Sequence, residues 1–310
     1  MKSNIFNFLL ILTVLVTVVC VCIFTACKDE PAKVIVPPEE GEPGDEPPGG
    51  PFQWDNPPDE DYTVPSGFDS KKGVTGKLTE KQYDSTTTGA TRKCYVYTSP
   101  EYDPNETYPV LYLLHGIGGT HTEWKEGGNP NEILSNLINA GKAKPMIVVM
   151  PNVRAMNPDS VPSDVYGMAN VNAFNNFIND LKTDLMPFIE KEYKVSNERT
   201  GRAIAGLSMG GMESLNIGIR MPETFGFIGA FSAAPGLPLK SEEMVFPDEY
   251  KNKTFIMICC GLQDDLLSFS QNYNKSLVDN GVKTTYYTTK GGHDFTVWKN
   301  GLYNFARRIF

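Results

Sequence analysis

Short apolar runs alternate along the chain with longer stretches in which apolar residues recur every three or four positions. The short runs predict β-strands and the periodic stretches predict helices. The predicted strands are Cys94–Thr98, Val110–Leu114, Met146–Met150, Ala203–Ala205, Phe227–Phe231, Phe255–Cys260 and Thr284–Tyr287, and the predicted helices cover 130–140, 171–192, 209–220, 268–280 and 295–308. This alternation predicts an α/β fold with a mostly parallel central sheet flanked by helices on both faces. Ligands of such sheets bind beyond the carboxyl ends of the strands.

The helical pattern over 171–192 contains a proline. Apolar residues such as Phe174, Phe177 and Leu181 fall on one face of this predicted helix. Pro187 lies inside the same pattern. Because proline has no N–H and its ring clashes with the preceding turn, we expect a kink or a break near it.

The beginning of the chain is typical of a secretory signal. Residues 5–26 are almost wholly apolar and follow Lys2, and Thr25-Ala26-Cys27 resembles a bacterial lipobox. We therefore expect residues 1–26 to be a lipoprotein signal peptide and Cys27 to carry a lipid. An uncleaved membrane helix is the alternative, because 22 apolar residues are enough to span a bilayer. Both interpretations place the remainder at the extracellular face of the bacterial membrane.

The next segment is acidic and rich in proline. Residues 28–66 hold eleven Asp or Glu, two lysines and ten prolines, which gives a net charge of −9. Such a composition cannot bury enough apolar surface to fold, so 27–66 is predicted to be a disordered tether. The whole chain also carries −9, so residues 67–310, the predicted single domain, are close to neutral. No basic patch indicates a nucleic-acid partner.

The strongest chemical motif surrounds Ser208. The sequence Ala203-Ile204-Ala205-Gly206-Leu207-Ser208-Met209-Gly210-Gly211 contains G-x-S-x-G between a predicted strand and a predicted helix. This is the context of the nucleophile elbow, where small flanking residues permit a sharp turn that exposes the serine. The motif therefore predicts an α/β-hydrolase fold with Ser208 as nucleophile.

A serine nucleophile needs a base and a carboxylate. In α/β hydrolases these follow the serine in the order acid, then histidine, and His293 is the single histidine after Ser208. The acid should lie at the carboxyl end of a strand between them, where Asp264 and Asp265 follow Phe255–Cys260. Spacing alone does not separate the two aspartates.

The oxyanion of an acyl-transfer reaction needs backbone donors. Leu114-His115-Gly116-Ile117-Gly118-Gly119 follows an apolar strand, as the oxyanion loop does in esterases. We expect the donors to be the amides of Ile117 and Met209. His115 is expected to order the loop rather than to catalyse. Trp124 and Trp298 are candidate substrate-binding residues, although Trp124 has packing as its alternative.

From about Gly76 to Phe310 the chain resembles the feruloyl esterases of carbohydrate esterase family one, which are related to esterase D. The resemblance rests on Pro109–Gly119, Ala203–Gly211, Asn216–Gly218, Ser232–Pro235 and most specifically Gly291-Gly292-His293-Asp294-Phe295-Thr296-Val297-Trp298-Lys299. In this family the acid follows its strand as G-x-x-D, which implies Asp264. Asn175 departs from the family, which often has Glu in the matching stretch.

The resemblance also implies a substrate class. Hydroxycinnamoyl esters on plant cell-wall xylan are expected, with acetylated xylan as the alternative, and neither a metal nor a cofactor nor a protein partner is implied. A non-catalytic surface sugar-binding module would fit better if a triad residue were missing. A glycosidase would leave the elbow unexplained, and a mycolyl-type acyltransferase would share the fold and triad but differ in its acceptor.

Overall fold

The computed structural model describes residues 60–310. The predicted signal peptide, Cys27 and most of the predicted tether lie outside the described residues. Within residues 60–310, no helix is both long enough and apolar enough to cross a membrane.

Eight strands form one sheet in the order β1-β2-β4-β3-β5-β6-β7-β8. The strands are β1 (Lys77–Ser85), β2 (Ala90–Thr98), β3 (Val110–Leu114), β4 (Ile147–Pro151), β5 (Arg202–Leu207), β6 (Phe227–Phe231), β7 (Phe255–Gly261) and β8 (Thr285–Thr289). β1 and β2 are antiparallel to each other, β2 is antiparallel to β4, and all other neighbours are parallel. The predicted mostly parallel sheet is thereby confirmed.

Helices cover both faces of the sheet. The α-helices are α1 (Glu123–Gly127), α2 (Pro130–Asn139), α3 (Met168–Asn175), α4 (Phe177–Asp180), α5 (Met186–Glu192), α6 (Met209–Arg220), α7 (Asp248–Lys251), α8 (Leu267–Asp279) and α9 (Phe295–Ala306). Apolar residues of α3, α6 and α8 belong to one buried cluster, and those of α2 and α9 belong to the other. Strands β3, β4, β6 and β7 are buried at every residue, as expected for a sheet covered on both sides.

The predicted break in the 171–192 helix is confirmed. A π-helical turn spans Leu181–Leu185, and α5 begins immediately after it with Pro187 in its first turn. The Met186 N–H donates to the Leu181 carbonyl across this π-helical turn, so the helix continues with a locally altered hydrogen-bond pattern just before Pro187.

The packed part of the chain begins before the predicted boundary at residue 67. Tyr62 stacks on Tyr287 with ring centroids 4.1 Å apart, and its carbonyl accepts a hydrogen bond of 2.9 Å from Asn304 Nδ2. Phe68 meets the edge of Tyr303 at 5.4 Å. The segment 61–68 therefore covers the outer face of α9.

Candidate active site

Ser208 lies on the sharp turn between β5 and α6. Its backbone angles are φ 54° and ψ −120°, a conformation that is strained for a residue with a side chain. A Cβ atom on Gly206 would lie 2.5 Å from the carbonyl carbon of Gly210, and one on Gly210 would lie 2.5 Å from the carbonyl oxygen of His115. Both glycines are thus required for this turn, which presents Ser208 beyond the carboxyl end of β5.

Three side chains form a continuous hydrogen-bonded chain. His293 Nε2 lies 3.0 Å from Ser208 Oγ, and His293 Nδ1 lies 3.0 Å from Asp264 Oδ2. Asp264 is 5% exposed, whereas Asp265 is exposed to solvent. The geometry therefore selects Asp264 over Asp265 as the partner of the imidazole.

The loop that carries His293 is fastened to the loop that carries Asp264. Gln263 N–H donates to the Gly291 carbonyl at 3.0 Å, and Gly291 N–H donates to Gln263 Oε1 at 2.9 Å. Gly291 has φ 127°, in the region that favours glycine. These bonds hold the histidine loop over the carboxyl end of β7, within reach of Ser208.

A buried histidine orders the candidate oxyanion loop. Val153 N–H donates to His115 Nε2 at 2.8 Å, so the imidazole carries its proton on Nδ1, which lies 2.7 Å from the Gly116 carbonyl oxygen. Burial lowers the pKa of His115 to about 3, which keeps the ring neutral. Because the C=O and N–H of a trans peptide point in opposite directions, this bond turns the Ile117 N–H away from His115.

Two further charged side chains hold the same loop. Arg154 Nη2 donates to the carbonyls of Ile117 at 2.9 Å and Gly119 at 3.0 Å, and Gly116 N–H donates to Glu123 Oε2 at 2.7 Å. Burial raises the pKa of Glu123, and the bond from Gly116 offsets part of that rise. Glu123 therefore fixes the N–H of Gly116, and Arg154 fixes the carbonyls of Ile117 and Gly119.

The two predicted donors keep their amide hydrogens free. Met209 is the first residue of α6, where an N–H has no acceptor within the helix. The hydrogen bonds among residues 60–310 likewise give the Ile117 N–H no acceptor. Such donors can stabilise the negative charge that develops on a carbonyl oxygen attacked by Ser208.

Comparison with known proteins places the chain in a family. The family model described as putative esterase matches residues 85–309. The chain belongs to this esterase family. Its members are carboxylic ester hydrolases of the serine type, which agrees with the Ser208-His293-Asp264 geometry.

Individual relatives of this esterase carry more specific names. The chain is 32% identical to an endo-1,4-β-xylanase/feruloyl esterase of Xylanibacter ruminicola over 76% of its own length but only 31% of that protein's length. It is 21% identical to an acetyl esterase of Caldicellulosiruptor saccharolyticus, covering 64% of this chain and 82% of that one. A ferulic acid esterase of Anaeromyces mucronatus, solved with ferulic acid, matches with a TM-score of 0.74 and 29% identity over 81% of this chain and 97% of that one.

The two candidate substrate-binding tryptophans of the esterase have other roles. Trp124 is 1% exposed, donates from Nε1 to the Leu114 carbonyl at 2.9 Å, and packs edge-on against Phe231 and Phe295. Its burial leaves no surface for a substrate, so packing is the correct interpretation. Trp298 is 8% exposed and meets the His293 ring edge-on at 5.1 Å, which supports the imidazole rather than lining an open pocket.

Arg154, Glu123 and Asn170 are site residues that the sequence analysis missed. Asn170, 1% exposed, accepts from Arg154 Nε at 2.5 Å and donates to the Ile117 carbonyl at 3.3 Å. No motif marks these positions, because they act by bonding to backbone groups whose position only the folded chain defines. Asn175, the departure from the family pattern, lies at the end of α3, with its Oδ1 buried and without a partner among the described residues.

Proposed function

We propose that this esterase is a feruloyl esterase that releases hydroxycinnamates from plant cell-wall xylan, with Ser208, His293 and Asp264 as its catalytic residues. The observation that carries the catalytic assignment is the pair of 3.0 Å contacts joining Ser208 Oγ to His293 and His293 to Asp264. A non-catalytic sugar-binding module would have no need for this arrangement.

The proposed reaction proceeds through an acyl-serine. His293 Nε2 takes the Ser208 proton as Oγ attacks the ester carbonyl, while the Ile117 and Met209 amides bind the oxyanion. The tetrahedral intermediate collapses, the C–O bond to the sugar breaks, and His293 protonates the departing alcohol. The same histidine then activates a water that hydrolyses the acyl-serine and restores Ser208. Asp264 holds the imidazole in the tautomer that accepts at Nε2.

The feruloyl substrate is supported by the names of two relatives. One is a xylanase/feruloyl esterase and the other is a ferulic acid esterase solved with ferulic acid. Acetylated xylan is the second candidate, because an acetyl esterase also matches most of the domain. Both substrates would be cleaved by the same reaction, and they differ in the acyl group that is transferred to Ser208.

The location is part of the same proposal. A lipid on Cys27 would hold the enzyme at the extracellular face of the bacterial membrane, and residues 27–66 would act as the tether. The lipobox-like Thr25-Ala26-Cys27 supports it. Cys27→Ala should release the protein from the membrane fraction or block its processing, while the hydrolytic activity remains.

The catalytic proposal is tested with three substrates side by side: methyl ferulate, methyl p-coumarate and acetylated xylan. We expect hydrolysis of methyl ferulate, and Ser208→Ala should reduce kcat by about six orders of magnitude, as for the nucleophile of a serine protease. Ser70→Ala, at an exposed serine, is the matched control and should keep full activity. Wild-type turnover by Ser208→Ala would refute the catalytic assignment, whereas cleavage of acetylated xylan alone would refute only the feruloyl substrate.

A further inference from the structure

Two adjacent cysteines lie near the end of strand β7 and face different surroundings. Cys259 and Cys260 are both 0% exposed, and successive side chains of a strand point to opposite faces of its sheet. A Cβ atom on Gly301 of α9 would lie 3.0 Å from Cys259 Sγ, so this thiol faces α9. Cys259 belongs to one of the two buried apolar clusters of residues 60–310, whereas Cys260 belongs to neither. The opposite face of the sheet therefore gives Cys260 surroundings of another kind.

The hydroxyl of Ser232 is one of the groups that surround Cys260. Ser232 N–H donates to the Cys259 carbonyl at 2.8 Å, which extends the pairing of β6 with β7 by one residue. Its φ of 52° lies in the left-handed region, which a residue with a side chain rarely adopts. In this conformation the buried Ser232 Oγ lies 3.8 Å from Cys260 Sγ, within hydrogen-bonding distance for sulfur. Backbone strain of this kind persists where the surrounding structure fixes it, and it is common at active sites.

The Cys260 thiol also meets the carboxylate of Asp264. Asp264 N–H donates to the Gly261 carbonyl at 3.2 Å, so a tight turn brings Asp264 back to the end of β7. There the Cys260 side chain hydrogen-bonds with the side chains of Asp264 and Ser270 as well as with Ser232. Ser270 is 0% exposed, and its hydroxyl has no nitrogen or oxygen partner among residues 60–310. A buried thiol thus lies between two buried hydroxyl groups and the carboxylate of the candidate triad.

We propose that Cys260 is a positioning residue whose thiol donates a hydrogen bond to Asp264 and so fixes the carboxylate that holds His293. This inference rests on the proposed function, because it takes Asp264 as the catalytic carboxylate. An ionised carboxylate has no hydrogen and can only accept, whereas each serine hydroxyl carries a hydrogen that can turn toward the sulfur. Burial raises the pKa of the Cys260 thiol to about 11, so the sulfur keeps the hydrogen that it donates.

Three donors then fix the Asp264 carboxylate. Its Oδ2 lies 3.0 Å from His293 Nδ1, its Oδ1 accepts the Leu266 N–H at 2.8 Å, and the Cys260 thiol is the third partner. His293 lies on a loop, whereas Cys260 lies on β7, which is buried at every residue. Groups on such an element hold their positions more precisely than groups on a loop. Loss of the thiol should therefore let the carboxylate turn relative to the imidazole.

The test measures the pH dependence of kcat and kcat/KM on methyl ferulate in the full-length protein. Cys260→Ala should lower kcat about threefold to tenfold with little change in KM, as for loss of one neutral hydrogen bond. With one donor fewer, the carboxylate attracts the proton of His293 more strongly, so the fall of kcat/KM on acidification should begin at a higher pH. Cys260→Ser, whose hydroxyl can donate to the same carboxylate, should recover most of both effects. In an Asp264→Asn background, Cys260→Ala should cause no further loss.

Cys259→Ala is the matched control, because Cys259 is equally buried but its thiol meets the Tyr287 hydroxyl and α9. It should lower Tm about as much as Cys260→Ala and leave kcat and the pH profile unchanged. A Cys260→Ala profile identical to wild type, an equal change in Cys259→Ala, or a further loss in the Asp264→Asn background would each overturn the positioning role.

Two further comparisons separate this role from other failures. If Cys260→Ala does not fold, Cys260→Thr and Cys260→Val, which share a shape and differ in the hydroxyl group, decide the same question through their pH profiles. If the wild type cleaves only acetyl esters, the feruloyl proposal fails, and the same measurements on a small acetyl ester still decide the role of Cys260. Wild-type activity of Asp264→Asn alone would instead refute the catalytic assignment, and the role of Cys260 with it.

Discussion

Asp264 and Asp265 are adjacent and chemically identical, so only their positions distinguish them. Asp264 is buried, lies 3.0 Å from His293 Nδ1 and also accepts the Leu266 N–H at 2.8 Å at the start of α8. Asp265 is exposed. We expect Asp264→Asn to lower kcat by about four orders of magnitude, because the amide no longer favours the tautomer that accepts at Nε2. Asp265→Asn, the matched control, should stay within about twofold of wild type. Equal losses in steady-state assays on methyl ferulate would contradict this assignment.

The orientation of the Gly116–Ile117 peptide is a second feature, at the scale of residues, on which the catalytic rate should depend. Its carbonyl accepts from His115 Nδ1–H, and its N–H is a predicted oxyanion donor. Without this bond the peptide can rotate, and a single missing oxyanion donor costs about 3 kcal/mol in the barrier. His115→Ala should therefore lower kcat by about a hundredfold with little change in KM.

Two variants distinguish this positioning role from general loss of structure. An asparagine can place an amide N–H near the position of Nδ1, whereas a glutamine reaches the position of Nε2. We expect His115→Asn to recover more of kcat than His115→Gln at comparable Tm. Parallel loss of kcat and Tm across all three variants would show that His115 is only structural.

The residues of the site differ in how well they can be predicted from the sequence. Ser208 and His293 are predictable because the elbow needs glycines at fixed spacing and chain order leaves one histidine. Asp264 needed the family pattern, because two aspartates satisfy the same strand-end rule. Arg154 could not be found, since its guanidinium bonds the carbonyls of Ile117 and Gly119, which approach it only after folding.

At the scale of elements, the buried strands were predictable, whereas β1, one of the two edge strands, was not. β3, β6 and β7 are continuous apolar runs because both of their faces are covered. β1 carries mostly polar residues, with only Tyr83 and Ser85 buried, and it forms because β2 supplies its hydrogen bonds. Such a strand is defined by its neighbour rather than by its own sequence.

The packing of the segment 61–68 against the domain should contribute to its stability. Tyr62 stacks on Tyr287, and the Arg308 guanidinium lies 4.6 Å from the Tyr62 ring centroid. Tyr62→Ala should lower the free energy of unfolding by about 1–3 kcal/mol through lost packing. The activity at 25 °C should stay near wild type, because this face is formed by α9 and β8 rather than by the catalytic loops. Val278→Ala, at a residue that is 52% exposed on α8, serves as the control at an exposed apolar position in denaturant titrations. An unchanged midpoint in Tyr62→Ala would mean that the segment contributes nothing to the domain.

At the scale of the whole molecule, burial shifts the pKa values of Glu213 and His115, and these two shifts change the stability with pH in opposite directions. Burial raises the pKa of Glu213, 1% exposed within α6, to about 8 from an ordinary 4.5. Between these values the folded state holds a proton that the unfolded state has lost, so stability falls as pH rises. His115 has a pKa of about 3 against an ordinary 6.5, so between those values the unfolded state binds the extra proton and stability falls as pH falls.

These two ranges overlap between about 4.5 and 6.5, where the opposing slopes offset each other. Above that interval His115 no longer opposes Glu213, and through Glu213 each pH unit should cost about 1.4 kcal/mol until its folded pKa is reached. Glu213→Gln cannot ionise, so it should remove the decline between pH 6.5 and 8 and raise Tm at pH 8 relative to wild type. Glu223→Gln, at an exposed glutamate, is the matched control and should leave the curve unchanged. The measurement is the free energy of unfolding by urea at intervals from pH 5 to pH 8.5. A wild-type curve that stays level to pH 8, or a Glu213→Gln curve parallel to it, would show that Glu213 is ionised in the folded protein.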